Sequence, residues 1–143
     1  MSRRLAREAA MCLLFEREIN GEPGNETLEE MKDILHTDKI REKHGAYIDH
    51  ILTYYEQNAV QVDAMIADCS VDWKLERLNK VDLSILRLAI IELFYLKEIP
   101  YRGAVNEAVE LAKKFSSEKS PAFINGVLGA IIQQHVESTI VVE

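Results

Sequence analysis

Three arginines open the chain, Arg3, Arg4 and Arg7, and on a helix advancing about 100° per residue they share an arc of roughly 100°. Met11 and Phe15 continue along the edge of that arc. Guanidiniums for phosphates beside a ring on which a base can stack are the chemistry of single-stranded RNA binding. The competing reading is solubilising charge, placed at the helix end where the macrodipole mildly disfavours cations.

A second group lies towards the other end of the chain. Asn106 precedes Glu107 in an apolar-periodic segment, and Asn125 and Gly126 follow the apolar pair Phe123 and Ile124. An asparagine among core residues must satisfy its amide, so Asn106 and Asn125 read as a helix-packing clasp, with Gly126 letting two backbones approach. The functional alternative is a corner that presents Phe115 and Phe123 to a ligand.

Other candidate chemistry is thin. Glu107 and Glu110 sit three apart, as paired catalytic carboxylates can, but on an amphipathic helix they read as a solvated face. His36, His44, His50 and His135 are never three or four residues from one another or from a cysteine, so no ligand pair shares a helix face and no metal is expected. Cys12 and Cys69 form no CxxC pair and read as buried free thiols of a reducing compartment. No Walker loop, nucleophile elbow or dinucleotide fingerprint occurs. The expectation is a protein without catalysis or cofactor.

The elements that must position these residues follow from periodicity. The stretch from Val81 to Leu96, VDLSILRLAIIELFYL, is apolar at twelve of sixteen positions, interrupted only by Asp82, Ser84, Arg87 and Glu92. It predicts a central helix surrounded by others, too short and too charged to span a bilayer. Before it, the spacing predicts a first helix from a Ser2 cap to about Ile19, ended by the turn at 20–25. A capping box, Thr27 to Glu30, opens a short helix to about His36. Helices then run from near Ile40 to Gln57 and from about Val60 to Cys69, and Asp72 caps a short turn to about Arg77. Beyond Pro100, which disfavours helix at the residue before it, an amphipathic helix runs from about Tyr101 to Phe115. A loop over 116–121 follows, with Pro121 at a helix N1 position, and a last helix ends near His135. The segment from Val136 to Glu143 is left open.

With 143 residues, 48% hydrophobic and 29% charged, the chain is sized for one all-α domain, with a soft seam at 70–72 between two helical sub-bundles, about 1–70 and 71–143. A net charge of −7 excludes nucleic-acid binding through the overall field, so any such binding must be local. The apolar run after the early arginines contains Glu8 and stops at Glu16, so it is not a secretory core, and the expected address is the cytoplasm.

The pieces LNKVDLSILRLAIIEL, IPYRGAVNEAVELAKKF and FINGVL, in that order and after the opening RRLAREAAMCLLF, resemble the NusB family of bacterial transcription antitermination factors. The resemblance implies an all-α fold of about seven helices in two packed sub-bundles and no catalysis. It implies pairing with NusE, a small-subunit ribosomal protein, and binding of boxA RNA in nascent transcripts. Other Nus factors and RNA polymerase then join, notably on ribosomal RNA operons.

Carried over by position, Arg3, Arg4, Arg7, Phe15, Phe115 and Phe123 match the RNA-binding side, and Asp82 and Arg87 match positions near the partner surface. Lys119 departs from an acidic residue in a well-known member. Three arginines on an acidic protein predict weak RNA binding alone and strong binding with NusE, and replacement of Arg7 is expected to spare the melting temperature. Competing readings are an RNA-recruiting partner of a separate RNA methyltransferase, and a helical adaptor or homodimer without an RNA role.

Overall fold

The four polar interruptions of the central stretch explain the architecture. In the computed structural model, which describes residues 3–20, 37–70 and 75–137, that stretch is helix α3, Lys80–Ile91, continued by a π-helical turn, Glu92–Leu96. Asn79 caps it, its side-chain oxygen accepting from the amides of Val81 (2.8 Å) and Asp82 (3.4 Å). Every residue from Asp82 to Ile91 is buried, so α3 has no solvated face. A buried polar group costs free energy unless it is paired, and all four polar residues are paired. Ser84 donates back to the Lys80 carbonyl at 2.8 Å. Asp82, Arg87 and Glu92 each reach out to a surrounding element, as set out below.

Around α3 lie α1 (Arg3–Asn20), α2 (Thr37–Cys69), α4 (Tyr101–Phe115) and α5 (Ser120–Ile132), the last continued by a π-helical turn, Gln133–Glu137. A short 3-10 turn, Leu75–Arg77, leads into α3. The described residues thus hold five α-helices, fewer than the seven or so expected. The two helices expected over 40–57 and 60–69 are one, kinked at Asn58, whose backbone leaves helical geometry (φ −129°, ψ 22°) while its amide donates to the Tyr54 carbonyl at 3.0 Å. The expected Ser2 cap, the capping-box helix, the Asp72 cap and the end of the chain lie outside the described residues.

Pro100, extended at ψ 155°, separates α3 from α4, and Pro121 sits in the first turn of α5, one place after the expected first position. Lys97 closes the π turn in the left-handed region (φ 55°), its amide donating to the Glu92 carbonyl at 3.0 Å. One core joins Leu13 and Leu14 of α1, Ile48 and Ile66 of α2, the apolar residues of α3, and Leu111 and Leu128 of α4 and α5. The halves suggested by the seam at 70–72 therefore share their interior.

Candidate nucleic-acid interface

Helix α1 packs against α2 and α3 and reaches α4 through side-chain bridges, and this decides what the three arginines can do. Arg7 is buried. Its Nε donates to Glu92 at 2.8 and 3.1 Å and its Nη1 to Glu107 at 3.4 Å, while the Tyr47 hydroxyl of α2 also donates to Glu92. Burial alone would lower the Arg7 pKa, but the hydrogen bond and charge of Glu92 outweigh it, leaving the guanidinium more firmly protonated than usual. Burial, together with the Glu92 charge, also raises the Tyr47 phenol well beyond its ordinary range. Arg7, expected to contact RNA, has a structural part here: it ties α1 to the end of α3 and to α4, through a Glu92 that Tyr47 of α2 also bonds.

Arg3 and Arg4 stay at the surface. Arg3 bonds Glu98 at 2.9 Å and lies over the Tyr47 ring, 4.3 Å from its centroid. Arg4 grips Glu107 with two bonds, 3.1 and 2.9 Å, and its hydrogen bond and charge hold the Glu107 carboxyl below the usual range. Further along, Lys114 of α4 bonds both oxygens of Glu8 (3.1 and 2.9 Å) and lies 5.3 Å from the Phe115 ring centroid. These side-chain bridges link α1 to α4 along a seam that runs from Arg3 and Arg4 to Lys114 and Phe115.

Phe115 is exposed and Phe15 partly so. Phe123, partly buried on α5, borders a groove of about 470 Å³ shared with Arg77, Asn79, Asp82, Ser117, Lys119 and Ser120. Phe123 borders a different hollow from the one that Arg3 and Arg7 line. Glu107 stands eight residues before Phe115, about 12 Å along α4, so cations and rings are strung along a seam. Lys114 escaped the sequence reading, although its place beside Phe115 in AKKF was the available signal.

Asp82 and Arg87, expected near a partner surface, are both buried. Asp82 accepts from Ser116 Oγ at 2.5 Å and Ser120 Oγ at 2.9 Å, pinning the loop between α4 and α5. Arg87 grips Asp63 with two bonds of 3.0 Å, reaches Glu18 at 2.6 Å and lies over the Tyr55 ring. Both residues make these bonds inside the fold. Asn106, Asn125 and Gly126, expected to form a clasp, lie at the surface. All three are exposed, a Cβ on Gly126 would meet nothing within 4 Å, and both asparagines line an open groove between α4 and α5 with Tyr101, Arg102 and Val105.

Cys12 and Cys69 are free, the first partly exposed, and burial raises both thiols. Among the described residues no group of His, Cys, Asp and Glu could hold a metal ion. No described helix is long and apolar enough to cross a membrane.

A family model for NusB matches residues 4–133. The chain belongs to the NusB family. Among NusB relatives, the transcription antitermination protein NusB of Clostridium botulinum (strain Hall) is 46% identical over 143 residues, covering 92% of this chain and 100% of that protein. T. maritima NusB superposes with a TM-score of 0.78 at 34% identity, over 94% of this chain and 93% of that one. A structure of the antitermination factors NusB and NusE in complex with dsRNA matches with a TM-score of 0.73 at 26% identity, over 93% and 97% of the two chains. NusB proteins are antitermination factors and not enzymes.

Proposed function

We propose that this member of the NusB family binds boxA RNA of nascent transcripts jointly with NusE, in the cytoplasm and notably on ribosomal RNA operons, where other Nus factors and RNA polymerase complete the antitermination complex. The observation that carries the reading is the seam of Arg3, Arg4, Lys114 and Phe115, with Phe123 bordering a groove on the next helix. Its cations suit phosphates and its rings suit unstacked bases. The assembly of a related NusB with NusE and dsRNA supports the choice of partners.

Asp82 serves this surface from beneath, by fixing the loop that leads into the helix bearing Phe123. Arg3, Arg4 and Lys114, each neutralising one phosphate, give a salt slope of only about −2 on a single strand. On a chain of net charge −7 that is weak binding, which a partner adding contacts in the same complex strengthens sharply. Fluorescence anisotropy of labelled boxA RNA, with and without NusE, tests this. Weak binding alone and tight binding with NusE are expected; tight binding indifferent to NusE would refute the cooperative reading.

A further inference from the structure

The seam cations are already occupied. Glu98 takes Arg3 at 2.9 Å, Glu107 takes the fork of Arg4 at 3.1 and 2.9 Å, and Glu8 takes Lys114 at 2.9 and 3.1 Å. Such pairs do little for the fold where they are exposed, as Arg3 and Glu98 are, with side chains 37% and 52% accessible. Their geometry matters more. A carboxylate in the fork of a guanidinium holds the position that two phosphate oxygens would take.

We propose that Glu98 and Glu107 act as built-in phosphate mimics, an internal lock that RNA must displace from Arg3 and Arg4. The inference rests on the RNA-binding reading and adds a regulatory feature to it. RNA does not meet free cations; it exchanges one anion for another. Each freed carboxylate then recruits a cation from solution, which offsets part of the counterion release that drives binding. The lock lowers affinity for any polyanion, so NusE and the bases must supply the difference. Glu107 is the tighter half, since it also touches buried Arg7 at 3.4 Å. Glu98 touches Arg3 from a half-exposed position and is the cleaner one to remove.

The test uses the full chain with NusE and a short fluorescein-labelled boxA RNA, titrated over a range of salt. Glu98→Gln and Glu107→Gln are each expected to tighten binding about two- to five-fold, the range spanned by an exposed ion pair. Each is also expected to steepen the salt dependence by less than one unit. Asp68→Asn removes an exposed α2 carboxylate outside the seam and changes the net charge equally; it is expected to leave affinity unchanged. If Glu98→Gln tightens binding no more than Asp68→Asn, or weakens it, the lock does not exist. The RNA reading then still stands, provided wild type binds and Arg3→Gln weakens it. If neither wild type nor any variant binds, the RNA reading fails and takes the lock with it.

Discussion

Replacing Arg7 by alanine removes the Nε–H donor shared between both oxygens of Glu92 and leaves that carboxylate 5% exposed with the Tyr47 hydroxyl beside it. Removing one member of a buried ion pair costs about 3–5 kcal/mol, because the other charge stays buried without compensation. The surviving Tyr47 bond places the expected loss near the lower bound, about 3 kcal/mol. For a chain of this size that is a fall in melting temperature of roughly 6–12 °C. Thermal and urea unfolding followed by circular dichroism measure it.

A double-mutant cycle with Glu92→Leu isolates the pair. Arg7→Met combined with Glu92→Leu is expected to recover most of the loss, since a buried pair replaced by apolar groups of similar volume is often neutral. Arg4→Ala, whose guanidinium is at the surface, is expected to melt close to wild type. An Arg7→Ala protein that melts like wild type and loses RNA affinity would refute this reasoning and return Arg7 to the surface chemistry inferred from its position on the helix arc.

Two other outcomes follow from the polar contacts. Asp82→Ala removes the carboxylate acceptor of the Ser116 and Ser120 hydroxyls, leaving them only their serine neighbours, and is expected to cost about 1–3 kcal/mol in urea unfolding. It should also loosen the loop before Phe123, read as faster amide exchange over residues 116–120; unchanged exchange there would count against the clasp. Glu107, held below its usual pKa by Arg4, contributes stability that is fully present above its unfolded value and lost as pH falls through its lower folded value. Glu107→Gln is therefore expected to flatten the acid limb of a melting-temperature profile below about pH 4.5, and an unaltered limb would contradict the assignment.

How far the chain could be read from its residues varies with the kind of information needed. The central helix was legible because twelve apolar residues without glycine or proline leave few other folds for Val81 to Leu96, and Pro100 and Pro121 mark local boundaries by their own geometry. Asp82, Arg87 and Glu92 were visible as interruptions, but their partners Ser116, Asp63 and Arg7 lie far away in sequence. A helical wheel places Arg3, Arg4 and Arg7 on one arc and cannot say that only Arg7 is buried against Glu92. For the same reason Asn106 and Asn125 looked like core residues: their apolar neighbours were legible, and the open groove beside α4 and α5 was not.

The central claim is that the α1–α4 seam and the start of α5 carry RNA. Photo-crosslinking of 4-thiouridine-substituted boxA RNA to the complex of this chain with NusE, followed by peptide mass spectrometry, tests it most directly. Crosslinks are expected at Phe115 and Phe123 and in the peptide bearing Arg3 and Arg4, and they should disappear with a scrambled RNA. Crosslinks confined to the exposed face of α2 around His50, with none along the seam, would contradict the account.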